Sequence, residues 1–177
     1  PIIIEGIHAL NEQMSSSIPK HQKFKIFISP QIQVNMDNHT PISTTDLRLL
    51  RRIVRDKEFR NASAEKTMDM WKSVRSGEFK WIYPHQEQSN YVYNSELSYE
   101  LCVLKKYAMP LLKEISNESE FYITANRLIK YLKYFKEIDE FSDFFRISPC
   151  VFAFCMCKSV LQVLLNLPKL PQSLFRQ

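Results

Sequence analysis

The sequence predicts an α/β fold with parallel strands, packing helices and a helical C-terminal part. Two short apolar runs rich in β-branched and aromatic residues, 2–4 and 24–28, are typical of strands. The first run is continuously apolar, as in a parallel strand covered on both faces. Amphipathic helical patterns follow both runs, which is the order expected of an α/β protein. We therefore expect residues 2–5 to form a parallel strand beside residues 24–28.

Composition and charge are those of a globular protein. The chain has 177 residues, 45% hydrophobic and 24% charged, which allows one domain with a sizeable core. Its net charge of +5 weakly favours anionic partners. Because no long Lys/Arg run is present, we expect phosphorylated small molecules rather than nucleic acid. The N-terminus lacks a secretory signal pattern, so a cytoplasmic location is expected. Four cysteines lack zinc-site spacing and indicate buried thiols: Cys102, Cys150, Cys155 and Cys157.

The clearest predicted helix begins after Pro41. Ser43 can cap this helix, and Asp46 three residues later approximates a capping box. Five apolar residues at helical spacing form one face: Leu47, Leu49, Leu50, Ile53 and Val54. Four arginines spaced i, i+3, i+4 and i+7 form a second face: Arg48, Arg51, Arg52 and Arg55. This arginine face could be a solvated surface paired with Asp46 and Asp56, the usual case for a charged helix face, or a functional one.

Weaker signals predict the elements that follow. A second helix is expected from Ser63 to about Arg75, with Gly77 as its C-cap. The aromatic-rich segment 78–93 contains Pro84 and favours strands and loops. The remaining predicted elements are a strand or connector at 97–104 and helices at about 106–115 and 121–136.

The last segment changes in character. Residues 147–165 are mostly apolar, and their number is close to that of a membrane span. Lys158 lies near the middle of this run, however, where a charge is costly in lipid. We therefore predict that residues 139–177 form an apolar helical tail, buried or facing a partner, and do not expect a membrane span.

Three stretches, in a fixed order, carry a resemblance to a known family. They read IIEGIHAL at 3–10, STTDLRLLRRIVRD at 43–56 and SAEKTMDMWKSVR at 63–75, followed by weaker matches up to residue 105. This ordered set resembles the uridine kinase and phosphoribulokinase family of P-loop kinases. The resemblance is greatest to bacterial-type nucleoside kinases with a threonyl-tRNA-synthetase-like regulatory domain ahead of the kinase. It implies that residues 1–138 are the C-terminal portion of a P-loop kinase domain, with a partial P-loop kinase fold.

The resemblance implies an activity and a set of site residues. The activity is ATP-dependent phosphorylation of a hydroxyl group on a nucleoside or related small molecule, with ATP and magnesium as cofactors. In the family, the carboxylate matching Glu5 lies near the magnesium-nucleotide site, so Glu5 is expected to bind magnesium directly or through water. The arginines matching Arg52, Arg55 and Arg60 close over the phosphates, which favours the functional interpretation of the arginine face. Glu5, Arg52 and Arg55 are therefore the expected catalytic residues. The family's further arginine, two residues after Arg60, is replaced here by Ala62.

The glycine content limits what this chain can do alone. Gly6 and Gly77 are its only glycines, so it cannot build a glycine-rich phosphate loop. We expect a missing N-terminal part of the same protein to carry that loop, and the chain alone to lack kinase activity. The alternative is a non-catalytic kinase remnant that acts as a binding or assembly module, for which homo-oligomers are one expected form.

Overall fold

The structure is a computed structural model that describes residues 3–32 and 35–138. The described part is a mixed α/β structure, which confirms the predicted class at that level. Its strands and α-helices are β1 (Ile26–Ser29), α1 (Thr44–Arg60), α2 (Ala64–Trp81), β2 (Tyr91–Asn94), α3 (Glu100–Lys113) and α4 (Tyr122–Leu132). Short 3-10 helices lie at Glu12–Ser15, Lys20–Gln22 and Tyr83–Gln88.

The two strands pair in parallel. Ile26 lies opposite Tyr91, and Ser29 lies opposite Asn94. Helices α1 and α2 form the connection between the strands, as a parallel crossover requires. The strand predicted at residues 24–28 is therefore present, displaced by one or two residues.

The prediction of a strand at residues 2–5 is wrong. Residues 3–5 are irregular, and Ile3 and Ile4 are 40% and 55% exposed. An apolar run becomes a parallel strand only when a neighbouring strand pairs with it and helices cover both of its faces. Here β1 pairs with β2 instead. The N-terminal segment contacts α2, where the rings of His8 and Trp81 meet edge to face with centroids 5.0 Å apart.

Helix α1 follows its predicted pattern closely. The Ser43 Oγ accepts a hydrogen bond from the Asp46 N–H at 3.3 Å, so the predicted N-cap is confirmed. The helix ends at Asn61, whose φ of 48° is a left-handed conformation that asparagine tolerates. The Asp46 carboxylate accepts from Arg127 of α4, with Nη2 2.9 Å from Oδ1. Within the described residues the capping box is thus half formed, because the short Asp46 side chain is used to join two helices.

The core lies between α1, α3 and α4. Its large side chains that are at most 2% exposed are Leu47, Leu50, Ile53, Leu104, Leu112, Leu128 and Leu132. Full burial of one leucine side chain stabilises the fold by about 1.5–3 kcal/mol. The packing of these helices therefore fixes the position of α1 and of the polar side chains on its other face.

Helix α2 is longer than predicted. Its N-cap is Ser63, as expected, but the helix continues through Gly77 to Trp81, so the C-cap assigned to Gly77 is wrong. The carboxylate of Glu78, 2% exposed, accepts from Arg75 within α2 and from Arg48, and the bond from Arg48 holds the turn after Gly77 against α1. Two other predictions are wrong in part. Segment 78–93, predicted as strands and loops, begins in α2, and segment 97–104, predicted as a strand or connector, contains the start of α3.

The predicted tail, residues 139–177, lies outside the described residues, as do Cys150, Cys155 and Cys157. Among the helices of the described ranges, none combines the length and the apolar character that crossing a membrane requires.

Candidate functional site

Three arginine side chains of α1 converge on one buried carboxylate. Asp56 is fully buried, with 0% of its surface exposed. Its Oδ2 accepts from the Arg52 Nε at 2.6 Å. Its Oδ1 accepts from Arg55 Nε and Nη2, both at 3.2 Å, and from Arg60 Nη1 at 3.2 Å. The three arginines singled out in the sequence are therefore brought together by the aspartate that lies between them. We refer to Arg52, Arg55, Asp56 and Arg60 as the arginine cluster.

Helical spacing explains why the arginine cluster forms. Arg52, Asp56 and Arg60 are four residues apart in succession, so their side chains lie one above the other on one face of α1. Arg60 lies in the last turn of the helix, where the negative end of the macrodipole favours a cation. The spacing therefore explains the contacts of Arg52 and Arg60 with Asp56.

The cluster has donors to spare. Arg52 and Arg60 each use one nitrogen to bind Asp56, and a guanidinium group carries five N–H donors. In the described part of the chain, their other N–H groups bond no protein acceptor. The side chains of Arg52 and Arg60 are 22% and 54% exposed, so these donors can reach a ligand in solvent. Two positive charges from these residues face one carboxylate, and the imbalance favours a multiply charged anion.

The other two arginines of the predicted face have different partners. Arg51 and Glu100 form a bidentate pair in which both residues are buried, with Nη2 and Oε2 2.5 Å apart. Burial raises the pKa of Glu100, while the hydrogen bonds from Arg51 oppose the rise. Arg48 shares Glu78 with Arg75 of α2. Arg48 and Arg51 therefore join helices. The interpretation of the arginine face as a solvated surface is wrong for Arg51 and Arg55, because both are buried.

Sequence reasoning did not find the partners Glu78 and Glu100. They lie 30 and 49 residues from the arginines they bind. In a single sequence each is an ordinary glutamate beside aromatic or apolar residues, and only the packing of α2 and α3 against α1 reveals its role.

Within the described ranges, Glu5 forms no hydrogen bond or ion pair with the arginine cluster. It lies exposed in the irregular N-terminal segment. No group of three or more potential metal ligands occurs in the described residues either. Magnesium usually takes one or two protein carboxylates and completes its shell with water and substrate phosphates. The magnesium-binding role of Glu5 therefore stays a prediction.

The chain matches no protein-family model, no curated protein and no solved structure. The resemblance to P-loop kinases therefore stays a prediction.

Proposed function

We propose that this chain supplies the phosphate-binding helix of an ATP-dependent phosphotransferase. The reaction is phosphorylation of a hydroxyl group on a nucleoside or related small molecule, within a P-loop kinase fold of which residues 1–138 are the C-terminal portion. The observation that supports this proposal is the convergence of Arg52, Arg55 and Arg60 on buried Asp56. Such an arrangement holds guanidinium groups in place before a phosphate arrives, so little order has to be created when it binds.

Each member of the arginine cluster has its own task in this proposal. Asp56 orients the guanidinium groups and limits their mutual repulsion. Arg55, whose side chain is 9% exposed, anchors the cluster in the protein. Arg52 and Arg60 donate their remaining N–H groups to phosphate oxygens, and in a closed site these bonds strengthen as charge develops during transfer.

ATP would supply the phosphoryl group, and magnesium would bind its phosphate oxygens with Glu5 as a protein ligand, directly or through water. The glycine-rich loop and the base that accepts the proton of the substrate hydroxyl would come from another part of the protein. With two glycines, this chain has no segment that could replace that loop. Its own contribution is to bind and orient phosphate.

The proposal predicts which ligands this chain binds by itself. We expect ATP and inorganic tripolyphosphate to shift the side-chain Nε–H signals of Arg52 and Arg60 in ¹H–¹⁵N NMR spectra, and adenosine to leave them unchanged. Two charge-assisted contacts of about 1.5–3 kcal/mol each correspond to a dissociation constant between about 6 mM and about 40 μM. Equal shifts with adenosine, or no shift with either polyphosphate, would contradict the proposal.

A second candidate function is the non-catalytic binding or assembly module. It is favoured by the size of the sheet in the described residues, since a sheet of two four-residue strands gains stability from any element or partner that packs on it. On β2, Tyr91 and Val92 are 55% and 39% exposed, although parallel strands are normally covered on both faces. Sedimentation equilibrium separates the two functions: an assembly module gives concentration-dependent homo-oligomers, whereas a phosphate-binding part does not require them.

A further inference from the structure

A second group of positive charges lies away from α1, at the amino ends of the two strands. Lys25 precedes β1 and Asn90 precedes β2, and because the strands are parallel both residues lie at the same edge of the sheet. The Lys25 N–H donates to the Asn90 Oδ1 at 2.9 Å, which ties this edge together. A cavity of about 350 Å³ opens there, lined by Glu12, Lys20, Lys23, Lys25, Gln88 and Asn90. We call it the lysine pocket.

The three lysines of the pocket differ in how many of their donors are used. The Lys23 Nζ donates to Glu12 Oε2 at 2.8 Å, to the Ser15 carbonyl oxygen at 2.8 Å and to the Ser15 Oγ at 3.2 Å. These three bonds use the full capacity of an ammonium group. Lys25 binds Glu12 through one bond, and Lys20 makes no side-chain hydrogen bond within the described ranges. Lys23 is therefore a positioning residue, while Lys25 and Lys20 have N–H groups left for a ligand.

Charge in the pocket is not balanced by the protein. Hydrogen bonds from Lys23 and Lys25 lower the pKa of Glu12 to about 2, so this carboxylate is ionised near neutral pH. It provides one negative charge against the three positive charges of Lys20, Lys23 and Lys25. Lys20 is exposed and hydrated, but the side chains of Lys23 and Lys25 are each only 12% exposed, so water compensates little of the charge by which these two exceed Glu12. A bound anion would balance it.

We propose that the lysine pocket binds a compact small-molecule anion with two or more negative charges, carried on phosphate or carboxylate groups. Lys25 and Lys20 donate to it, and the side-chain amides of Gln88 and Asn90 supply further hydrogen-bonding groups. The cavity volume is at the lower end of the range for small-molecule sites, which favours a ligand the size of pyrophosphate or citrate. The pocket shares no residue with the arginine cluster, so this inference stands independently of the proposed function.

The test is a titration of the purified chain with inorganic pyrophosphate and, separately, with citrate. The readout is the side-chain amide signals of Gln88 and Asn90 in ¹H–¹⁵N NMR spectra, which report on this pocket alone. We expect saturable shifts with at least one of the two anions, and the anion that binds more tightly identifies the charged group preferred. Loss of one charge-assisted bond in Lys25→Gln should raise the dissociation constant about tenfold. Lys20→Gln should raise it by a smaller factor.

The matched control is Lys130→Gln, which removes an exposed lysine of α4 and should leave the affinity unchanged. Because Lys20 is itself exposed, Lys20→Gln keeps the fold even if Lys25→Gln does not. Absence of a saturable amide shift with both anions, or equal dissociation constants in Lys20→Gln and Lys130→Gln, would overturn the proposal. Either result would leave the arginine signals, and hence the proposed function, unaffected.

Discussion

Glu100→Gln is expected to lower the free energy of unfolding by about 3–5 kcal/mol. Glu100 is 0% exposed and holds the guanidinium group of Arg51, itself 7% exposed, through two hydrogen bonds. The substitution removes the carboxylate charge and leaves the Arg51 charge buried without compensation. Such a loss is a large fraction of the 5–15 kcal/mol that stabilises a typical domain. Urea denaturation followed by circular dichroism measures it.

The double variant Arg51→Met/Glu100→Leu distinguishes the loss of a charge partner from the loss of side-chain packing. Replacing both members of a buried pair by apolar residues of similar volume is often neutral. We therefore expect the double variant to recover most of the stability, and Glu118→Gln, at an exposed position, to change it little. A double variant as unstable as Glu100→Gln would show that the pair matters for packing rather than for charge compensation.

Arg52→Gln is expected to lower kcat by about 100-fold or more in a protein that joins this chain to an intact phosphate loop. On the proposed function, Arg52 donates to the phosphate on which charge develops in the transition state. Its loss should cost little stability, about 1 kcal/mol or less, because its side chain is partly exposed and Asp56 keeps two other arginines. A coupled assay of ATP turnover and thermal unfolding of the same preparation measure the two effects.

The opposite pattern would contradict this assignment. If Arg52→Gln keeps near-normal kcat and loses thermal stability, the arginine cluster is a structural feature of α1. Arg127→Gln is the control, since it removes an arginine that pairs with Asp46 outside the cluster.

Local signals allowed the start and the apolar face of α1 to be predicted. Ser43 lies immediately before the helix, and Leu47, Leu50 and Val54 lie within it. These signals can therefore be interpreted without any distant contact. The failures at residues 2–5 and at Gly77 have the opposite cause. A parallel strand depends on a partner strand, and α2 continues past Gly77 where Glu78 binds Arg48 of another helix.

The candidate site was predictable to the same extent. The positions of Arg52 and Arg55 on one side of α1 follow from their spacing, Arg60 was indicated only by the family resemblance, and Asp56 was visible as a neighbouring carboxylate. The burial of Asp56 depends on the tertiary packing around α1, and the pairing of Arg51 with Glu100 depends on how α3 packs against α1. These properties come from tertiary structure, which no short sequence window contains.

The most direct test of phosphate binding by the arginine cluster compares Arg60→Gln with Arg127→Gln. The two side chains are closely matched: they are 54% and 57% exposed, and each pairs with a buried aspartate of α1. The measurement is the dissociation constant for tripolyphosphate, read from the Arg52 Nε–H signal so that binding in the lysine pocket does not contribute. We expect Arg60→Gln to raise this constant about tenfold and Arg127→Gln to leave it unchanged. Equal constants in the two variants would contradict the assignment of the arginine cluster as a phosphate site.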